Sequence, residues 1–152
     1  MDDAIFIPGQ VPSSKRGKRI VRNKYTGRPL LISSDQTFNY KKNLKEFFHD
    51  KVNINKFKKM CEGKTSPITI EFTFVRIDKK RFDYGNLSQI VLDCMTGQAF
   101  HPVTRNKLVN QRNKELRQEM CWIEDDSMNY VKPAYGDFIV SKDNPGVYIR
   151  VL

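Results

Sequence analysis

Two groups of acidic side chains stand out in a chain dominated by lysine and arginine. Asp83 and Asp93 flank a predicted helix, and Glu124, Asp125 and Asp126 follow one another further along. Oxygen ligands from separate segments suit Mg²⁺, which binds few protein groups and keeps several waters. Mg²⁺ activates water and neutralises charge on phosphate oxygens without a histidine base. These acids therefore predict a metal site for phosphodiester cleavage.

Other residue types that carry chemistry are scarce or poorly spaced. The chain has two histidines, and it contains neither a glycine-rich phosphate loop with a lysine nor a nucleophile elbow. Its three cysteines stand at long spacings, which favours a reducing compartment over a disulfide framework. Cys94, His101 and Cys121 lack the short ligand pair that fixes a zinc site. The carboxylates remain the candidates.

A helix predicted from about Asn86 to Met95 must position the first acidic group. Its polar face carries Asn86, Gln89 and Asp93, its opposite face is apolar, and Gly97 ends it. Asp93 falls in the last turn, where the helix dipole disfavours an anion and a nearby cation would stabilise it. A simpler interpretation is that Asp83 caps the helix, Asp93 is a solvated acid and residues 124–126 form a polar turn.

The remaining elements predict an α+β fold with a small mixed sheet flanked by helices. Residues 1–152 are expected to form one domain, in which 98–121 is an insertion containing an exposed helix. After that helix the chain is expected to close with a terminal hairpin. The other expected elements are a strand at 4–8, a hairpin turning at Thr26-Gly27, a helix from near Gln36, a Lys-rich connection, and a half-buried strand at 68–74.

Charge points to a polyanionic partner. Lysine and arginine number 27 against 17 acids, a formal net charge of +10, and nucleic acid suits that balance. The segment 15–28 holds seven cations and no acid, although a solvated loop would show the same pattern. No stretch is apolar enough for a membrane span, so a cytoplasmic protein is expected. The predicted nucleic-acid contacts are Lys15, Arg16, Lys18, Arg19, Lys79, Lys80 and Arg81.

Three stretches resemble the RusA family of small phage and bacterial Holliday-junction resolvases. They occur in the family's order, and the resemblance extends over nearly the whole chain. Residues 6–15, reading Phe-Ile-Pro-Gly-Gln-Val-Pro-Ser-Ser-Lys, look like the family's first strand and following loop. Residues 81–95 resemble its signature of arginine, Asp-x-Asp-Asn-Leu, lysine and Asp-Ala-Leu. Residues 122–126, Trp-Ile-Glu-Asp-Asp, resemble its later aromatic and aspartate pair.

The resemblance implies a RusA-like fold and a junction-resolving endodeoxyribonuclease of DNA recombination and repair. It places Asp83 and Asp126 as the first and last metal-binding aspartates and Asp93 as the aspartate that ends the helix. It also implies Mg²⁺, with Mn²⁺ as a substitute, a homodimer, branched DNA as partner, and a cytoplasmic bacterial or phage-encoded protein. Paired nicks across a four-way junction suit a twofold dimer.

Two positions depart from the family pattern. The family's second aspartate is Gly85 here, and its lysine is Gln89. The alternative is therefore a catalytically weakened protein that binds branched DNA on the same scaffold. A further alternative is RNA binding through the basic segment 15–28, with aromatic stacking from Tyr25, Phe82 or Tyr84. Candidate replacements for the missing carboxylate and cation are Glu124, Asp125, Lys79, Lys80 and Lys132.

Overall fold

The computed structural model describes residues 3–13, 18–33 and 35–152. Helices and a mixed sheet in these ranges confirm the predicted α+β class. Every helix in the described ranges is too short or too polar to cross a lipid bilayer. In chain order the elements are β1 (Ile5–Pro8), β2 (Lys18–Arg22), β3 (Pro29–Ser33), α1 (Asp35–His49), α2 (Lys51–Met60), β4 (Ile68–Arg76), α3 (Tyr84–Thr96), α4 (Lys107–Met120), β5 (Val131–Tyr135), β6 (Ile139–Val140) and β7 (Gly146–Val151).

Strand β4 is the centre of the main sheet. It pairs antiparallel with β7 along one edge and parallel with β5 and β6 along the other, while β1 pairs antiparallel with the far side of β7. The alternating pattern predicted a half-buried strand, yet residues 72–76 are all buried. Because successive side chains point to opposite faces, both faces of β4 are covered in this stretch. The half-buried prediction was wrong there.

The predicted terminal hairpin was also wrong. Val75 in β4 pairs with Ile139 of β6 on one side and with Gly146 of β7 on the other. The turn at 143–146 therefore connects β6 to β7, which do not pair with each other because β4 lies between them. Turn residues indicate where a chain reverses, but not which strand lies between its two arms. Here the most buried strand of the sheet takes that place.

Helix α2 replaces the Lys-rich connection that the sequence predicted. Its N-cap is Asp50, whose side chain accepts a hydrogen bond from the Val52 amide at 2.9 Å. Ile54 and Phe57 are its buried residues, and they join the same core cluster as the apolar faces of α1 and α3. One cap and two apolar positions were enough to stabilise a helix against this core, because helix stability in proteins comes largely from tertiary packing.

The predicted hairpin in the basic segment is confirmed. Strands β2 and β3 pair antiparallel, and the Asn23 side chain accepts hydrogen bonds from the amides of Tyr25 and Thr26 in the turn. Gly27 takes a φ of 69°, a left-handed conformation that glycine adopts without strain. The first strand and the turn of this hairpin contain residues 18–28 of the basic segment.

Gly146 of β7 pairs with Pro8 of β1 on one side and with Val75 of β4 on the other, and it supplies a test of the sheet. A Cβ there would fall 2.4 Å from the Ile7 carbonyl oxygen and 2.5 Å from the Phe6 ring. We expect Gly146→Ala to lower the free energy of unfolding by about 2–3 kcal/mol through overpacking, measured by urea denaturation. Gly85→Ala is the control: it lies in the first turn of α3, where a Cβ would meet one side-chain atom, Asp83 Oδ1, at 3.2 Å, and it should change the free energy of unfolding by less than about 1 kcal/mol. Equal midpoints for both variants would contradict this packing.

Candidate metal centre

Helix α3 carries the polar face that the sequence predicted. Asp83 is its N-cap, accepting a hydrogen bond from the Asn86 amide at 3.2 Å, and Gly97 ends it with a φ of 82°. Leu87, Val91 and Met95 are fully buried, so the opposite face is fixed against the core. Gln89 is exposed on the polar face and Asp93 is half-buried there. The predicted orientation of α3 is confirmed.

The second acidic segment is attached to the C-terminal end of α3. The backbone amides of Trp122 and Ile123 both donate to the Met95 carbonyl oxygen, at 2.7 and 3.3 Å. The Trp122 indole nitrogen donates to the Phe48 carbonyl oxygen at 2.9 Å, and the Trp122 side chain is buried. Trp122 is therefore a core residue, as predicted, and it holds residues 124–126 beside the last turns of α3.

Gln89 joins the two acidic groups. Its Nε2 donates to Asp93 Oδ1 at 3.0 Å and to Asp126 Oδ2 at 2.6 Å. One neighbour lies a single turn further along α3, and the other comes from the segment that follows α4. The structure thus brings together two of the three predicted metal ligands, Asp93 and Asp126, around a single nitrogen atom. Gln89, which replaces the lysine expected from the resemblance to the RusA family, therefore bridges Asp93 and Asp126.

Lys41 supplies the cation that Asp93 needs at the end of its helix. Its Nζ lies 3.8 Å from Asp93 Oδ2, and only 20% of the Lys41 side chain is exposed. The carbonyl end of a helix disfavours an anion, and a nearby cation offsets that effect. Lys41 comes from α1, and no sequence spacing indicated it. The candidates named from sequence were Lys79, Lys80 and Lys132 instead.

Asp83 lies apart from the other two predicted ligands. It precedes Asp93 by ten residues on the same helix, which at 1.5 Å of rise per residue separates their backbones by about 15 Å along the axis. Ligands of one ion must lie within a few ångströms of each other, because each is about 2 Å from the metal. Among the described residues, no three acidic, histidine or cysteine side chains form a group that could hold a metal. Asp83 borders a separate cleft of about 800 Å³ with Arg81 and Asn86.

The Asp93 and Asp126 pair fits a Mg²⁺ or Mn²⁺ ion by its chemistry. Both carboxylates have an oxygen within 3.0 Å of the Gln89 nitrogen, so an ion held by both would take the place of that nitrogen, and the Gln89 side chain would have to move aside. After that movement the Gln89 carbonyl oxygen could serve as an additional, neutral ligand. Two carboxylates are sufficient, because Mg²⁺ retains much of its water.

The predicted nucleic-acid contacts fall in two places. Lys79, Lys80 and Arg81 are exposed in the connection between β4 and α3. Lys15 and Arg16 lie outside the described residues. The backbone of Lys18 and Arg19 forms part of β2, and their side chains also fall outside the described part. The exposed cations at 79–81 directly precede Asp83, the cap of the helix that carries the candidate metal centre.

The histidines and the buried cysteine of α3 are poor candidates for catalysis at this centre. His49 and His101 lie near each other, with ring centroids 5.5 Å apart, and burial lowers the pKa of both, which favours neutral rings near pH 7. Burial raises the pKa of the Cys94 thiol to about 12, so no thiolate nucleophile forms there near neutral pH. The chemistry of this region therefore rests on the carboxylates of Asp93 and Asp126.

A scan against models of protein families and a search of curated protein sequences found no match to this chain.

Proposed function

We propose that the chain is a Mg²⁺-dependent endodeoxyribonuclease that binds branched DNA, four-way junctions in particular, and cuts a phosphodiester beside Asp93 and Asp126. The observation that supports this most is the contact of both carboxylates with one Gln89 nitrogen, at 3.0 and 2.6 Å. The formal net charge of +10 provides attraction for a polyanion. The resemblance of residues 81–95 and 122–126 to the RusA family agrees with both features.

In this proposal each residue has a separate task. Asp93 and Asp126 hold the ion, which supplies an activated water and neutralises charge developing on the phosphate oxygens. Lys41, 3.8 Å from Asp93, offsets part of the negative charge of that carboxylate and restrains its position. Gln89 orients the two carboxylates toward each other. The exposed Lys79, Lys80 and Arg81, which precede the Asp83 end of α3, bind phosphates further along the DNA, and such contacts give most of the affinity.

Junction resolution requires two coordinated nicks, and we propose a homodimer for that reason. A twofold axis places two identical centres on opposite strands of a four-way junction. Within residues 3–13, 18–33 and 35–152, Gln89 joins a single pair of carboxylates, Asp93 and Asp126, so one copy would serve one nick. Recognition by backbone contacts and shape, rather than by base sequence, is consistent with such a basic surface.

The test is cleavage of an end-labelled synthetic four-way junction with and without Mg²⁺. We expect paired nicks near the branch point that require the metal, and little cleavage of a linear duplex of the same sequence. A parallel binding competition with structured RNA distinguishes DNA from RNA as the partner. Preference for the RNA, or absence of both junction binding and cutting, would rule the proposal out.

A second candidate is a protein that binds branched DNA without cutting it. The hydrogen bonds of Gln89 favour this candidate, because they satisfy both carboxylates without an ion. Tight junction binding with no nicks would support it. The family pattern would then predict that the double variant Gly85→Asp with Gln89→Lys acquires metal-dependent cleavage, at least tenfold above background, at a second pair of carboxylates formed by Asp83 and position 85. A Cβ at Gly85 lies 3.2 Å from Asp83 Oδ1, so the Asp83 side chain must shift slightly to admit the added carboxylate.

A further inference from the structure

A groove of about 720 Å³ lies between helix α1 and the chain that follows β1, and the end of β4 closes it. None of Gln89, Asp93 and Asp126 lines it, so it is distinct from the candidate metal centre. Its volume lies in the range of pockets that bind small organic ligands and nucleotides. The residues around it belong to three separate elements, and their chemistry is mixed in a specific way.

One wall of the groove is a row of side-chain amides on α1. Gln36, Asn39 and Asn43 follow the spacing of one helical face, and all three line the groove with their side chains exposed. None of the three side chains forms a hydrogen bond within the part of the chain that the structure describes. An amide offers a donor and an acceptor side by side, which is the pattern that reads the edge of a nucleobase.

Below the amides the groove has an apolar floor. Tyr40 follows Asn39 and Leu44 follows Asn43 on α1, and both line the groove although they are only 7% and 6% exposed. The parts of these side chains that reach the groove are apolar. A planar base can pack against such a surface whatever its sequence.

The opposite wall carries positive charge. Arg76, 5% exposed at the end of β4, donates to the Val11 carbonyl oxygen, and its guanidinium lies 5.2 Å from the centre of the Phe82 ring. No carboxylate of the described residues lies within ion-pair distance of it. Burial lowers the pKa of Arg76, and the negative charge of Asp78 partly opposes that effect. Lys80 is exposed at the rim. Asp78, the one acid of the lining, accepts a hydrogen bond from the Lys80 amide.

We propose that this groove binds one nucleotide, with the base against Tyr40 and the α1 amides and the phosphate toward Arg76 and Lys80. A free mononucleotide and a nucleotide unstacked from a DNA strand share this chemistry. The strand is the source that we favour, and that part rests on the proposed function. Stacking is interrupted at the branch point of an open junction, and such an interruption lowers the energy needed to extrude a base. The groove would then hold such a base while the phosphates on either side meet the exposed cations at 79–81.

The test uses the full chain with two probes. The first is a four-way junction carrying 2-aminopurine at the branch point, whose fluorescence increases when the base leaves the stack. The second is free dAMP, measured by equilibrium dialysis. The variant is Asn39→Ala with Asn43→Ala, both at exposed positions, and the matched control is Asn55→Ala, an exposed asparagine on α2. Circular dichroism checks that each variant is folded.

We expect a severalfold rise in fluorescence with wild type and with Asn55→Ala, and loss of that rise in the double variant while a mobility shift shows the junction still bound. We also expect dAMP affinity to fall at least tenfold in the double variant only. Binding of dAMP without the fluorescence rise supports the nucleotide groove with the free nucleotide as its ligand. Unchanged behaviour of the double variant with both probes overturns the inference. Failure to bind any junction counts against the proposed function, and the dAMP measurement then decides the groove alone.

Discussion

Asp126→Asn is expected to reduce Mg²⁺-dependent junction cleavage by about a hundredfold or more. Replacing even a group that only supports a metal ligand commonly costs 10–100-fold, so loss of one of two direct carboxylates belongs at or above that range. Asparagine keeps the size of the side chain and can still accept the hydrogen bond from Gln89, which is 2.6 Å long in the wild type. The change therefore removes charge with little change of shape.

Two comparisons make this result specific. Glu124→Gln removes one negative charge from an exposed position two residues away, and it should leave cleavage within about twofold of wild type because it contacts neither Gln89 nor Asp93. Asp93→Asn should match Asp126→Asn, and Mn²⁺ binding followed by electron paramagnetic resonance should weaken in both. Cleavage by Asp126→Asn at the wild-type rate would show that the reacting phosphate lies elsewhere.

Junction affinity is expected to fall about a thousandfold between 50 and 200 mM salt. Each phosphate neutralised by lysine or arginine releases counterions, and six or more such contacts produce a drop of this size. A chain with 27 lysines and arginines has enough cations for that number. Mobility-shift titrations of a labelled junction in the absence of Mg²⁺ measure binding separately from cleavage.

The location of these contacts can be checked with two triple variants of equal charge. Lys79, Lys80 and Arg81 changed together to glutamine should reduce the slope of log affinity against log salt by about 2–3. The same change at Lys56, Lys58 and Lys59, exposed on α2, should alter the slope far less. A salt response that is flat in the wild type, or equally reduced by both variants, would contradict the proposed surface.

Local sequence signals predicted the helices and strands whose ends are marked by capping or turn residues. The stop of helix α3 at Gly97 and its apolar face were predicted. Its start was predicted near Asn86 but lies at Tyr84, with Asp83 as the cap that the simpler interpretation had proposed. The alternation in β4 identified the strand but not its place. Whether a strand is central depends on which other strands pair with it, and those partners come from distant parts of the chain. For the same reason the turn at 143–146 was mistaken for a hairpin.

The candidate site was predictable only in part. The polar face of α3 brought Gln89 and Asp93 into register, and the resemblance singled out Asp126, but only folding shows that Gln89 contacts both. The separation of Asp83 from Asp93 follows from the rise of a helix and could have been calculated from their positions. The ion pair of Lys41 with Asp93 joins residues from two helices. No periodicity encodes such a pairing.

The hydrogen bonds from Trp122 and Ile123 to the Met95 carbonyl oxygen have a consequence for how this chain tolerates change in length. These hydrogen bonds fix Trp122 and Ile123 beside the C-terminal end of α3, where residues 98–121 begin. None of the residues of α4 is buried, and the Arg117 and Asn113 side chains bind carbonyls of His101 and Pro102 within the same excursion. The ends of that stretch are tied to the core, because Ala99, Phe100 and Met120 pack against it. The part between them, residues 102–119, could be shortened, lengthened or exchanged for another sequence while Asp126 keeps its distance from Asp93.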